Sequence, residues 1–434
     1  MNIRWLLCCW LLAAGVLPAA DRPNVLFILA DDQRWDTIRA LGNPEIQTPN
    51  LDQLAERGFV FRNAYCQGGM VPAVCVPSRT MLMTGRSLFH IPAGNAKTYD
   101  KPTLGGVFRQ AGYATLFVGK RDNSFLAGNE AFEKVIYHTA PMTERAGQSR
   151  FMAESAIKWL KEQPAGKKPF FIYLGPPVPH DPRLAPEEFV KLYDPEKLTL
   201  SPNFMPQHPF DNGELKVRDE LLAPIPRTPA DMKKHLADYY ATISNLDHHV
   251  GRIIVQLKES GELDKTIVVF TSDQGLAVGG RHGLMGKQNL YEHFKSPLII
   301  AGPGIPKGKS DALAYLFDLF PTLCDATGTE IPKVCEGSSL MPVVTGKKAA
   351  VRETLFGAYR NCQRMVRDER WKLIAYNAGG DKHTQLFDLN ADPDELKNLA
   401  DEPAHKTTRE RMEKLLAAER KKFGDPVDFD SQKK

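Results

Sequence analysis

The sequence predicts an α/β protein with a central, mostly parallel sheet flanked by helices and a small C-terminal α+β subdomain. Apolar runs rich in β-branched and aromatic residues alternate with segments of helical periodicity through most of the chain, a pattern typical of parallel sheets with crossover helices. After residue 346 this alternation gives way to short strand patterns and one charged helix. The 434 residues, 42% of them hydrophobic and 25% charged, suffice for one large core and a second, smaller one.

Five apolar runs predict strands of the central sheet. They are residues 24–29 (NVLFIL), 114–118 (ATLFV), 169–174 (PFFIYL), 266–270 (TIVVF) and 297–300 (PLII). Helical spacing of apolar residues predicts helices at residues 48–58, 104–111, 150–162 and 229–261. Asp247, His248 and His249 lie together on the last of these helices. Because adjacent helical residues point in different directions, we expect solvated or capping roles for them rather than a metal site.

Two further segments depart from the alternating pattern. Residues 176–230 contain prolines throughout, and so long an irregular insert predicts a functional loop or lid. The catalytic domain is expected to span residues 21–346, and the C-terminal subdomain residues 347–434. That subdomain is predicted to contain strands at residues 355–359, 362–367, 371–376 and 385–388, followed by a helix over about residues 406–422.

The first twenty residues have the pattern of a secretory signal peptide. Arg4 precedes an apolar run over residues 5–17, and small residues follow it at Ala19 and Ala20. The run is too short to cross a bilayer, so we expect an exported protein, periplasmic or secreted, with no stable membrane insertion. The net charge of +4 neither favours nor excludes a polyanionic partner, and we expect no nucleic-acid binding.

The cysteine content does not indicate a disulfide framework. Of seven cysteines, Cys8 and Cys9 lie in the signal peptide. The others are Cys66, Cys75, Cys324, Cys335 and Cys362. Cys324 could pair with Cys335 in an oxidising compartment, a pairing that the sequence leaves open.

Chemically capable side chains follow the carboxyl ends of four predicted strands. In chain order they are Asp31 and Asp32, Lys120, His180, and Asp273 with Gln274. In open α/β sheets ligands bind beyond these strand ends. We therefore expect the four segments to converge on one edge of the sheet, with the loop around Cys75 facing them.

Three of these side chains are carboxylates, from Asp31, Asp32 and Asp273. They would repel each other unless a cation lay among them. Together with the Gln274 side-chain oxygen they offer the hard oxygen ligands that Ca²⁺ prefers, or Mg²⁺ in a tighter site. Helix capping and turn formation would explain either segment alone, but less readily their combination with Cys75.

The run Cys75-Val-Pro-Ser-Arg79, followed at a fixed distance by Thr84-Gly-Arg, is the most specific signal in the chain. A lone cysteine is more often a buried thiol, but this run resembles the signature at which formylglycine-dependent sulfatases have their cysteine oxidised to an aldehyde. A hydrated aldehyde carries two hydroxyls on one carbon, one to attack sulfur and one to expel sulfate. The resemblance extends from RPNVLFILADDQ to LFDLNADPDELKNLA, which is nearly the whole mature chain.

The resemblance implies an alkaline-phosphatase-like fold and a role for each matching residue. The implied calcium ligands are Asp31, Asp32, Asp273, Gln274 and the aldehyde hydrate formed from Cys75. Arg79 would orient the hydrate. Lys120 and Lys287 would bind sulfate oxygens, and His180 would lie near the leaving oxygen, where positive charge stabilises the anionic transition state.

Two positions depart from the family pattern. The histidine that usually follows the lysine by two residues is replaced by Asp122, and that histidine is the usual base for sulfate expulsion. Asp122 could act as a weaker base, His282 could replace it, or the step could be impaired. Gln274 stands where the family often has asparagine, and a shifted loop could absorb its extra methylene.

The leading hypothesis from the sequence is a sulfuric ester hydrolase acting on a sulfated carbohydrate. Its substrate-binding residues would be Lys120, His180, His282 and Lys287, and it would need a formylglycine-generating maturation enzyme. The alternatives are a phosphomonoester or phosphonate hydrolase of the same superfamily, and a catalytically weak binder of sulfated glycans. The sequence leaves open the sugar, the sulfated position, exo or endo action, and the oligomeric state.

Overall fold

The computed structural model describes residues 22–93, 96–139, 142–163 and 168–431. The expected signal peptide, residues 1–20, lies outside the described residues. Within them the strands are β1 (Asn24–Ala30), β2 (Phe59–Tyr65), β3 (Gly68–Gly69), β4 (Ala114–Lys120), β5 (Lys134–His138), β6 (Phe170–Gly175), β7 (Thr266–Ser272), β8 (Lys295–Ser296), β9 (Leu298–Ala301), β10 (Gly308–Tyr315), β11 (Leu355–Tyr359), β12 (Gln363–Arg367), β13 (Trp371–Ala378) and β14 (Asp381–Asp388).

The α-helices frame these strands. They are α1 (Pro49–Arg57), α2 (Cys75–Thr84), α3 (Leu104–Gln110), α4 (Leu126–Asn129), α5 (Gln148–Glu162), α6 (Glu187–Val190), α7 (Pro229–Glu259), α8 (Leu319–Ala326), α9 (Met341–Val344) and α10 (Lys406–Phe423). The four helices predicted in the catalytic region correspond to α1, α3, α5 and α7. Within the described residues, no helix is both long enough and apolar enough to cross a membrane.

The central sheet is mixed but mostly parallel, which confirms the predicted fold class. Its strand order is β10-β2-β9-β7-β1-β6-β4-β5, with β8 added at β2. The five strands from β7 to β5 run parallel to each other. The antiparallel strands are β9, which runs opposite to both of its neighbours, and the short β8, which pairs antiparallel with β2. The sequence analysis did not predict β2, β5 or β10, which lie at or near the two ends of this order.

Every residue of β1 is buried, because helices cover both faces of the sheet. Val25 and Phe27 contribute to the core on the face that carries α2, α3 and α8. Leu26 and Ile28 contribute to the core on the opposite face, with α5 and α7. A strand buried on both faces is a continuous apolar run rather than an alternating one, which explains the NVLFIL pattern.

The second sheet has the order β14-β13-β12-β11-β3. Strands β11 to β14 form the predicted antiparallel C-terminal sheet, and the terminal helix is α10. The short strand β3 pairs parallel to β11 and joins this sheet to the segment before α2. A Cβ at Gly68, whose φ is 104°, would come within 1.9 Å of the Ala358 carbonyl oxygen. The domain division between residues 346 and 347 stays a prediction.

The insert at residues 176–230 is more ordered than the sequence pattern predicts. It contains α6 and two short 3₁₀ turns, Pro195–Lys197 and Glu220–Leu222. Tyr193, Leu198 and Ala223 of the insert are buried with Met232 and Tyr240 of α7, because these apolar side chains gain stability by leaving water. Its role as a lid stays a prediction. Cys324 and Cys335, the candidate disulfide pair, are free thiols in the structure.

The capping role expected on α7 is confirmed for Asp247. Thr48, at the start of α1, makes no side-chain cap. Instead the buried Asp247 carboxylate accepts hydrogen bonds from the backbone N–H groups of Asn50 and Leu51, at 3.2 and 2.7 Å. It therefore satisfies two of the donors that the first turn of a helix leaves unpaired. The neighbouring His248 is exposed.

We predict that Asp247→Ala lowers the free energy of unfolding by about 1–3 kcal/mol, because two buried N–H donors lose their acceptor. His248→Ala is the matched control on the same helix and should change stability by less than about 0.5 kcal/mol. Urea titration of both variants measures this difference. Equal midpoints for the two variants would contradict the capping role.

Candidate active site

The neighbouring strands β1 and β7 bring three carboxylates together at one edge of the sheet. The two strands pair in parallel up to Ala30 and Ser272, so the residues that follow emerge side by side. The Asp273 carboxylate accepts the backbone N–H groups of Asp32 and Gln274, each at 3.0 Å. Asp31, Asp32 and Asp273 are all fully buried.

Cys75 is the first residue of α2 and points at these carboxylates. Its Sγ lies 3.2 Å from Asp31 Oδ1 and 3.8 Å from Asp32 Oδ1. One turn further along α2, the guanidinium of Arg79 donates from Nε to Asp273 Oδ2 at 3.0 Å and lies 3.6 Å from Asp31 Oδ2. The helix therefore fixes both the thiol and a buried cation against the same carboxylates.

Two lysines and a histidine complete the arrangement. Lys120, at the end of β4, forms an ion pair with Asp31. Lys287 Nζ lies 2.8 Å from Asp32 Oδ2 and 3.2 Å from Cys75 Sγ. His180 Nε2 lies 3.7 Å from Asp32 Oδ2. We call the assembled group the site cluster; its members are Asp31, Asp32, Cys75, Arg79, Lys120, His180, Asp273, Gln274 and Lys287.

The pKa values of the buried carboxyls reveal competition for the positive charge available. Burial alone would raise the pKa of Asp31, but Lys120 and Arg79 hold it well below its usual value. Burial raises the pKa of Asp32, with only partial compensation from Lys287. Burial and the charge of Asp31 raise the pKa of Asp273 to about 7. Like charges this close cannot all ionise without more positive charge among them.

Gln274 provides a second indication that the site cluster fits a cation. Its amide nitrogen faces Asp32 and lies 3.1 Å from Cys75 Sγ. Its Oε1 is buried and has no hydrogen-bond partner within the described part of the chain, an uncommon state for a buried oxygen. Ligand atoms of Asp31, Asp32, Cys75 and His180 lie within 4.8 Å of one another. Carboxylate oxygens are ligands typical of Ca²⁺ or Mg²⁺, so the residues present fit such an ion.

Two predicted residues lie outside the site cluster. Asp122 is exposed in the turn after β4, and among the described residues no hydrogen bond or ion pair joins it to the site cluster. His282 is buried, with its ring stacked on Tyr291 at a centroid distance of 3.9 Å. Its Nε2 contacts Asn203 Nδ2 at 3.1 Å and lies 3.7 Å from Glu292. The roles predicted for both residues stay predictions.

Three charged residues of the insert border the site cluster and were not predicted from the sequence. Asp181 lies with its Oδ1 3.3 Å from His180 Nδ1, and Asp219 lies with its Oδ2 3.8 Å from Lys287 Nζ. Arg218 forms ion pairs with both carboxylates, each at 2.6 Å. The insert contains many other charged residues, so no local signal in its sequence singles out these three.

Comparison with known proteins identifies the family. The sulfatase family model matches residues 23–329, well over half of the chain. The chain belongs to the sulfatase family. A second model, described as the C-terminal part of N-sulphoglucosamine sulphohydrolase, matches residues 280–422 of this sulfatase. The predicted family and enzyme class, a sulfuric ester hydrolase, are thereby confirmed.

Curated relatives resemble this sulfatase along most of its length. An N-acetylglucosamine-6-O-sulfatase of Bacteroides thetaiotaomicron is 26% identical, over 93% of this chain and 87% of the relative. Arylsulfatase K of Rattus norvegicus is 30% identical, over 89% of this chain and 76% of the relative.

Solved structures share the fold of this sulfatase. One, in complex with its substrate D-glucosamine-2-N,6-O-disulfate, has a TM-score of 0.76 at 23% identity and covers 94% of this chain and 100% of its own. The phosphonate monoester hydrolase of Agrobacterium radiobacter has a TM-score of 0.77 at 23% identity, covering 93% and 96%. These likenesses confirm the predicted alkaline-phosphatase-like architecture and, at such identities, establish the fold alone.

Proposed function

We propose that this sulfatase removes sulfate from a sulfated carbohydrate, using formylglycine derived from Cys75 and a bound divalent cation, Ca²⁺ or Mg²⁺. The observation that carries the proposal is the position of Cys75. Its thiol lies within 3.2 Å of both Asp31 and Lys287, at the centre of the site cluster. A side chain at this position can reach a sulfate group bound by the lysine and arginine side chains of the site cluster.

Residue 75 would need to be modified to act as the nucleophile. Burial and the charge of Asp31 raise the pKa of the Cys75 thiol well above its usual value, so the thiolate is disfavoured. A formylglycine hydrate would supply two hydroxyls on one carbon, whereas a thiol or a single hydroxyl would be left as a stable ester. Arg79, held by Asp273 and Asp31, would orient the side chain of residue 75.

The lysines of the site cluster would bind the sulfate group. Lys120 and Lys287 are held by Asp31 and Asp32, so their ammonium groups are already fixed before a substrate arrives. Preorganised positive charge in a buried site stabilises the negative charge that develops in the transition state. His180, whose Nε2 faces Asp32, would lie beside the leaving oxygen.

The oxygens of Asp31, Asp32, Asp273 and Gln274 would hold the cation. When bound, the cation would polarise the sulfate oxygens and neutralise charge at the site. It would also offset the burial and the carboxylate repulsion that together raise the pKa values of Asp32 and Asp273. Lys120 and Lys287, which contact the carboxylates, would then be available to the substrate.

A carbohydrate substrate is supported by the relatives. One is named an N-acetylglucosamine-6-O-sulfatase, and one solved structure contains a glucosamine disulfate as its substrate. The insert at residues 176–230 borders the site and could cover a saccharide. Export, inferred from the N-terminal apolar run, would bring the enzyme to extracellular or periplasmic glycans, after a formylglycine-generating enzyme has acted on Cys75.

A desulfation screen tests this function. Protein co-expressed with the maturation enzyme is incubated with sulfated mono- and oligosaccharides, with a phenyl sulfate and a phenyl phosphonate monoester alongside. We expect sulfate release from at least one saccharide. Faster hydrolysis of the phosphonate than of every sulfate ester would favour the phosphonate hydrolase alternative. Saccharide binding without sulfate release would favour the glycan-binding alternative.

We predict that Cys75→Ala abolishes turnover, with a loss of at least about a thousandfold, because the nucleophile is removed. In the wild-type protein, peptide mass spectrometry should find an aldehyde in place of the thiol at residue 75. Cys66→Ala is the control, since Cys66 is also buried but lies outside the site cluster. Full activity with an unmodified thiol would refute the assignment.

Removal of the cation is predicted to abolish activity as well. Chelation should lower turnover by orders of magnitude, and added calcium or magnesium should restore it. Asp32→Asn and Asp273→Asn should lower both the metal content of the protein, measured by elemental analysis, and its activity. An enzyme with no bound metal and no response to chelation would contradict the site.

Asp122 stays our candidate for the base that releases sulfate, with His282 or water as the alternatives. If Asp122 has this role, Asp122→Ala should give a burst of phenol from a phenyl sulfate followed by slow turnover, because only the second half-reaction is impaired. Asp122→His should restore the steady-state rate. Stopped-flow measurement distinguishes the outcomes. An unchanged steady-state rate in Asp122→Ala would exclude the role. The exposed position of the side chain would then explain why its removal has no effect on turnover.

A further inference from the structure

Arg218 of the insert bridges two carboxylates at the border of the site cluster. Its Nη1 and Nη2 donate to Asp181 Oδ2 and Oδ1 at 2.6 and 3.0 Å. Its Nη2 and Nε donate to Asp219 Oδ1 at 2.6 and 3.1 Å. Both carboxylates are about nine-tenths buried, whereas the arginine side chain is 55% exposed. The guanidinium therefore uses most of its N–H donors on Asp181 and Asp219, and few remain for solvent or substrate.

Each bridged carboxylate lies against a different member of the site cluster. Asp181 faces the His180 ring, with its carbonyl oxygen 2.8 Å and its carboxylate 3.3 Å from Nδ1. Both of these oxygens are acceptors, so Nδ1 carries the hydrogen and Nε2 remains for the substrate. Asp219 accepts from Gln288 Nε2 at 2.9 Å and lies 3.8 Å from Lys287 Nζ.

The bridge has an electrostatic consequence for Lys287. Burial alone would raise the pKa of Asp219, but Lys287, Gln288 and Arg218 together lower it to about 2, so this carboxylate is ionised. Without Arg218, Asp219 would keep its charge and compete more strongly for the Lys287 ammonium. Asp181 would likewise lose the partner that fixes its side chain beside His180.

We propose that Arg218 is a positioning residue. By bridging Asp181 and Asp219 it fixes the position of the His180 ring relative to the Lys287 ammonium at the substrate site. This inference rests on the proposed function, in which His180 lies beside the leaving oxygen and Lys287 binds sulfate. Arg218 is not part of the family signature around Cys75. It acts through two carboxylates and does not contact the reacting atoms.

The proposal predicts a dependence on the leaving group. As an oxygen of residue 75 bonds to sulfur, the sulfur–oxygen bond of the ester breaks, and its electron pair passes to the leaving oxygen, beside which His180 would lie. The less acidic the leaving alcohol, the more negative charge its oxygen carries in the transition state. The rate then depends more strongly on His180. Sugar alcohols are poor leaving groups, so the bridge would matter most for a carbohydrate ester.

The test uses a series of substituted phenyl sulfates, from 4-nitrophenyl to 4-methoxyphenyl, whose phenols differ in acidity but little in shape. With the matured full-length enzyme, Arg218→Met should lose about tenfold more kcat/KM on 4-methoxyphenyl sulfate than on 4-nitrophenyl sulfate. His180→Ala should show the same trend. Arg218→Lys, which keeps the charge but has one ammonium for two carboxylates, should fall between Arg218→Met and the wild type.

Arg360→Met is the matched control. Arg360 is also a partly exposed arginine paired with a buried carboxylate of the insert, Glu214, and no ion pair joins it to Asp181 or Asp219 among the described residues. Its loss should be equal across the series. A uniform loss in Arg218→Met and Arg218→Lys, with a selective loss in His180→Ala, would overturn the bridge. A uniform loss in His180→Ala would instead overturn the proposed role of His180, and the bridge with it.

Discussion

Three carboxylates, from Asp31, Asp32 and Asp273, are buried side by side at the edge of the central sheet, and the rest of the site exists to balance them. Two of them, Asp31 and Asp32, are consecutive and follow β1, and the third follows the adjacent strand β7. Their proximity therefore follows from the parallel pairing of the two strands. Buried charges need partners to be stable, and here the partners are Arg79, Lys120 and Lys287. We propose that the two lysines also bind the sulfate ester.

Each partner comes from a different element, so the site depends on the whole architecture. Arg79 is presented by α2, whose first residue is Cys75, and Lys120 ends β4. The second sheet contributes indirectly, because β3 pairs with β11 just before α2 begins. Gly68, at which no side chain fits, allows that close pairing. The C-terminal region thereby helps to fix the helix that carries Cys75.

The insert at residues 176–230 completes the site from outside. It supplies His180 directly, together with Asp181, which lies against His180, and Asp219, which lies near Lys287. Arg218 pairs with both of these carboxylates. Apolar side chains of the insert anchor it on α7. A segment without long helices or strands can then hold charged groups in fixed positions, which a mobile loop could not do.

The sequence by itself determined the fold class, the five central strands that are plain apolar runs, the C-terminal sheet and most members of the site cluster. Those features depend on local periodicity or on a short motif, such as Cys75 to Arg79, and so are legible along the chain. Only the tertiary structure decided that β9 runs antiparallel, that Cys75 begins a helix, and that Arg218 bridges two carboxylates. It likewise placed Asp122 at an exposed turn and packed His282 against Tyr291. Strand direction, ion pairing and burial arise from contacts between residues distant in sequence, which no local pattern encodes.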